Sequence, residues 1–85
     1  MKYITILRIL RMEKYFDEVS AAFEKQSTKS KSIQRKIRLL EKYQASGQWL
    51  KDYKCDERGE LPKNLKRGVL SEDGLYNLLC DLCEH

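Results

Sequence analysis

The chain has 85 residues, so its core is thin and much of its surface stays in water. Apolar residues make up 41% and charged residues 35%, enough for one folded domain spanning residues 1–85 and too apolar for a disordered chain. The net charge of +4 is unevenly spread: residues 25–46 carry seven basic side chains against Glu41 alone, whereas residues 69–85 carry four acidic ones and no basic one.

No stretch approaches the roughly 20 apolar residues of a membrane span. The apolar opening, residues 3–10, is interrupted by Arg8, followed by Arg11, and lacks a small-residue cleavage site, so no export signal is expected. With three cysteines, an odd number, a reducing cytoplasm is the expected compartment.

Within residues 4–25, Ile9, Met12, Phe16, Val19 and Phe23 recur at alternating spacings of three and four, which predicts one stripe of a helix. Ile6, Leu7 and Leu10 widen that stripe, so the first three turns are apolar over much of their circumference and need covering on more than one side. A strand over residues 3–9 competes with this reading, but an isolated strand has nothing to pair with. At about 1.5 Å per residue the helix should reach roughly 33 Å.

Residues 26–32, QSTKSKS, have no apolar side chain and predict a turn, with Ser30 or Ser32 as the N-cap of a second helix. Ile33, Ile37, Leu40 and Tyr43 repeat the three-four spacing, Leu39 flanks them, and Gly47 reads as the left-handed residue that ends the helix. Two helices joined by a short polar turn should form an antiparallel hairpin over residues 1–46. A third helix is expected to follow Gly47 with Trp49, Leu50 and Tyr53 on one face, stopping near Arg58 at Gly59, with Pro62 preventing continuation. Gly68 reads as a second left-handed break, and Ser71 as the N-cap of a last helix whose inner face is Leu75, Leu78, Leu79 and Leu82. Gly74, inside that first turn, costs about 1 kcal/mol relative to alanine, which points to a close backbone approach or simple tolerance.

The strings SGQWLKDY, DERGELP and LKRGVLSEDGLYNLL, spread over residues 46–79, together resemble the signature of a family of short bacterial proteins, found mainly among Firmicutes and classed as a domain of unknown function. The resemblance extends to a helical pair beginning near RMEKY, residues 11–15. It implies a small cytoplasmic all-α protein and supplies no catalytic residue or ligand. The C-terminal CxxC is outside the pattern.

Four groups of residues compete for a function. Trp49, Tyr53, Lys63, Lys66, Arg67 and Tyr76 have the composition of a recognition surface, although Trp49 and Tyr76 read better as rings pinning the C-terminal helices to the hairpin. Lys66 and Arg67, in a loop before Gly68, are the better binding candidates. The basic residues Lys31, Arg35, Lys36, Arg38 and Lys42 would suit nucleic-acid phosphates, yet they follow equally from the solvated face of an amphipathic helix. Cys55, Cys80, Cys83 and His85 offer four metal-ligand types, but they lack the two close-spaced couples of a structural zinc site, and buried thiols are the favoured reading. Asp52 and Asp56 share a helix face, and paired carboxylates are commonplace on solvated helices. The single histidine, His85, is terminal and no nucleophile has an evident base, so no enzyme activity and no cofactor are expected.

The sequence therefore predicts an all-α fold, an antiparallel helical hairpin with two short C-terminal helices (residues 47–85) packed against it. It predicts a protein-binding role, to itself or to a larger partner, using Ile9, Met12 and Phe16 in coiled-coil-like contacts together with Ile6, Trp49, Tyr53, Lys66 and Arg67.

Overall fold

The computed structural model describes residues 2–71 and 73–83, with Lys2 and Cys83 described through their backbone alone. It is all-α: α1 (Lys2–Glu24), α2 (Lys31–Ala45), α3 (Gln48–Glu57), a single 3-10 turn (Gly68–Leu70) and α4 (Gly74–Cys83). α1 and α2 form the antiparallel hairpin, joined across its middle by an ion pair of 3.0 Å between Lys36 Nζ and Glu18 Oε2. The 3-10 turn lies against α1, α3 and α4, and α4 reaches both hairpin helices. With extents of 36 × 19 × 17 Å, the molecule is as long as α1.

The predicted stripe does build the core. Ile9 and Val19 of α1 are buried with Leu40 and Tyr43 of α2, Val69 and Leu70 of the 3-10 turn, and Leu75, Leu78 and Leu79 of α4. Each such aliphatic side chain contributes about 1.5–3 kcal/mol by leaving water. Ser30 caps α2, its hydroxyl accepting from the Ile33 N–H at 3.1 Å. Gly47 (φ 88°) and Gly59 (φ 71°) are left-handed and end α2 and α3 as expected.

Four local expectations are corrected. Gly68 does not adopt a left-handed conformation; it opens the 3-10 turn, and a Cβ there would stand 3.1 Å from Glu13 Oε2. Ser71 does not cap α4, because its hydroxyl donates to the Gly68 carbonyl at 2.8 Å, closing the 3-10 turn instead. The carbonyl of Asp73 takes the first α4 bond, from the Asn77 N–H at 2.8 Å. Tyr76 does not pin α4 to the hairpin, since it points outward and is 58% exposed. Leu50 likewise leaves the expected inner face of α3, where Asp52 and Cys55 are buried instead.

Gly74 is required by close approach. An added Cβ would collide with the Ser71 hydroxyl and stand 3.1 Å from the Gly68 carbonyl oxygen. Gly74→Ala is therefore expected to lower stability by about 1 kcal/mol or more through crowding, despite a helix-propensity gain of similar size. Thermal unfolding of the variant checks this, and a raised midpoint would show that Ser71 yields freely.

Candidate functional site

Two buried carboxylates organise the interior, and they determine which surfaces remain for a partner. Asp52, only 1% exposed, stands where α1, α2 and α3 meet. It accepts from Arg8 Nε at 2.9 Å, from Arg8 Nη2 at 2.5 Å and from the Tyr43 hydroxyl at 2.5 Å. The hydrogen bond to Asp52 holds the Arg8 guanidinium above its ordinary pKa. Burial, reinforced by the same carboxylate, pushes the Tyr43 phenol well above the usual tyrosine range. The expected sharing of a solvated face by Asp52 and Asp56 is thus overturned. Asp52 is interior, and Asp56 pairs with Arg67 Nε at 2.9 Å.

A raised phenol pKa means that the folded state keeps a proton the unfolded chain loses. This contribution is intact below about pH 10 and is lost as pH rises beyond it, by about 1.4 kcal/mol per pH unit. Tyr43→Phe should start less stable, yet lose less stability than the parent between pH 9.5 and 11. Urea unfolding across that range measures the difference, and parallel curves would exclude a retained proton on Tyr43.

Glu13 is the second buried carboxylate, and it receives the Val69 N–H at 2.7 Å. On the other side of the same residue, the Trp49 indole N–H donates to the Val69 carbonyl at 2.8 Å. Trp49 also stacks on Tyr53 with ring centroids 5.1 Å apart. Both aromatic rings are half-buried, and Trp49 packs against the core. Arg67 is similarly engaged: its guanidinium donates to the Pro62 carbonyl at 2.8 Å and to the Lys63 carbonyl at 3.4 Å, bracing its own loop. Lys66 stays exposed beside it.

The hairpin's outer surface differs from its inner one. Ile9 is wholly enclosed, and Met12 and Phe16, partly buried, pack against the core. The apolar surface that stays open belongs to the opposite side of α1: Tyr3 (67% exposed), Ile4 (68%), Leu7 (48%) and Leu10 (47%). Tyr3, Leu7, Leu10 and Lys14 follow the four-three-four spacing of a second helical stripe. Leu10 also belongs, with half-buried Ile6, to the wall of a groove of about 550 Å³ between α1 and residues 62–66. Leu65 and Pro62 form the facing wall, and Glu13, Lys14, Asp17 and Lys66 contribute polar atoms.

On α2, Lys31, Arg35, Arg38 and Lys42 are exposed, and they align at spacings of four, three and four. None of them has an ion-pair partner among the described residues. Lys36 leaves this row, being bound to Glu18. Cys55 is buried, its thiol donating to Glu60 Oε1 at 3.4 Å, and Cys80 is half-buried. The Cys83 side chain and His85 lie outside the described residues, among which no three His, Cys, Asp or Glu side chains gather as metal ligands. No helix among them is long and apolar enough to cross a membrane.

Sequence reasoning missed Arg8, Glu13, Tyr43 and Asp52 as a polar framework. Its only visible trace was charge at positions falling on or beside the inner stripes, as with Glu13 beside Met12. The sequence model of one family, described as Domain of unknown function (DUF4298), matches residues 9–84. No curated protein and no solved structure matches the chain.

Proposed function

The chain belongs to the DUF4298 family of domains of unknown function, and from its outer surface we propose that it is a non-enzymatic protein-interaction module that self-associates through the N-terminal part of α1. The observation that carries this reading is the continuous open row Tyr3, Ile4, Leu7 and Leu10, which its own fold leaves in water. A row of this kind, continued by the groove at Ile6 and Leu65, has the character of an interface. The stripe also suits an antiparallel copy of itself. When Leu7 meets Leu10 of the second copy, Tyr3 falls opposite Lys14, so each ring receives a cation and each leucine a leucine.

Sedimentation of the protein from micromolar to millimolar concentration tests the proposal. A mass rising towards twice that of the single chain, and persisting in high salt, is the expected result, because apolar association is not weakened by screening. A single-chain mass throughout rejects it.

The basic row of α2 supports a second reading, an accessory protein for nucleic acid. Binding through Lys31, Arg35, Arg38 and Lys42 would weaken steeply between low and physiological salt, the opposite dependence. It ranks below the first because the row lies on a convex helix face without an aromatic platform for bases.

A further inference from the structure

A second concave surface lies on the other flank of α1 from Leu7 and Leu10. It is a cleft of about 360 Å³ between Thr5 and Arg8 of α1 and Lys51, Lys54 and Arg58 of α3, with Glu60 at its edge. Its charge is not self-cancelling. Asp52 borders the cleft but is buried and saturated by Arg8 and Tyr43, so it presents almost no negative surface. Glu60 is engaged by Arg58, whose Nε and Nη2 lie 3.2 and 3.3 Å from its two carboxylate oxygens. Lys51 and Lys54 are exposed and have no carboxylate partner among the described residues. The cleft therefore carries two uncompensated positive charges.

Arg8 supplies what an ordinary lysine patch lacks. Two of its nitrogens are held by Asp52, and Asp52 is held in turn by Tyr43, so the guanidinium is fixed before any ligand arrives. Its Nη1 has no hydrogen-bond partner among the described residues, and about a quarter of the side chain is exposed. A planar, preset guanidinium suits an oxyanion's paired oxygens, while lysines act as mobile point charges around it. The volume falls within the range of small-molecule sites.

From this arrangement we infer that the α1–α3 cleft binds a phosphate group carried by a small phosphomonoester, whose charge near −2 at neutral pH matches the two free lysines. Arg8 is the fixed donor, Thr5 offers a hydroxyl, and Lys51 and Lys54 complete the neutralisation. This site is independent of the self-association face, and either can fail without the other.

The test is a titration of the full chain with glycerol phosphate, at constant ionic strength, followed by amide chemical shifts. Expected are saturable shifts confined to residues 5–8 and 51–60, with an affinity lowered about a hundredfold in a Lys51→Gln, Lys54→Gln double variant, since each of the two lost charged contacts counts for about a decade. Both lysines are exposed, so that variant should keep its helical circular dichroism. An Arg35→Gln, Arg38→Gln control on α2 should bind as the parent does. Non-saturable shifts, or equal binding by the Lys51/Lys54 variant, would overturn the inference. So would saturation by an unphosphorylated-end oligonucleotide but not by glycerol phosphate, which would assign the cleft to a nucleic-acid backbone instead.

Discussion

Replacing Asp52 with alanine is expected to lower the free energy of unfolding by about 3–5 kcal/mol, the loss typical when one member of a buried charge pair is removed. For an 85-residue chain, whose total stability is on the order of 4–13 kcal/mol, this approaches unfolding at physiological temperature. The size of the effect comes from what is left behind. The Tyr43 hydroxyl, enclosed between helices, would lose its acceptor, at about 1–3 kcal/mol for an unsatisfied buried group. Arg8 would keep a guanidinium with no counter-charge, although its partial exposure lets water take over some of the solvation. Urea unfolding followed by Trp49 fluorescence measures the loss. A companion double replacement, Arg8→Met with Asp52→Leu, should recover part of it, because removing both charges together leaves no unpaired charge, while the Tyr43 hydroxyl still lacks its acceptor. A loss below 1 kcal/mol in Asp52→Ala would mean that the junction of α1, α2 and α3 does not depend on this ion pair.

Introducing Leu7→Glu and Leu10→Glu together should abolish self-association while leaving the fold intact. Both leucines are about half exposed, so a dimer would gain roughly 1 kcal/mol from covering the remainder of each, or about 4 kcal/mol over two copies. Losing that contribution, and forcing four carboxylates into the same contact, corresponds to a weakening of more than 100-fold. Helical circular dichroism should be unchanged, since neither residue belongs to the core. Sedimentation at a concentration where the parent is dimeric provides the comparison. An unaltered mass would locate the interface elsewhere, with Leu50 and Tyr76 as the exposed large apolar side chains outside the α1 row among the described residues.

Much of the architecture was legible because it depends on local rules. Three-four spacing marked α1 and α2, Ser30 marked a helix start, and Gly47, Gly59 and Pro62 marked the stops. The end of α1 was less visible. Gln26 adopts φ 56° there, a left-handed role usually given to glycine or asparagine, while the Ser27 N–H returns to the Ala22 carbonyl at 2.8 Å. The 3-10 turn was also hidden, because Gly68 is selected by the nearby Glu13 carboxylate rather than by a positive φ. The site suffered most from this locality. The regular stripe of Ile9, Met12 and Phe16 was the most conspicuous apolar feature, and conspicuous regularity is what a core requires; the open face was the less regular set around Leu7. Buried Asp52 and Glu13 look like ordinary helical surface residues until partners 44 and 56 positions away are brought beside them.

The separation of Glu13 from Val69 has a consequence for the order of events during synthesis. As the nascent chain leaves the ribosome, α1 and α2 are complete well before the peptide that must cover the Glu13 carboxylate has been made. Until then the hairpin carries an acid facing a half-built interior and can close only provisionally. The arrival of the 3-10 turn is thus what covers the Glu13 carboxylate, with α4 still to be made, and a chain truncated upstream of the turn would leave that carboxylate uncovered.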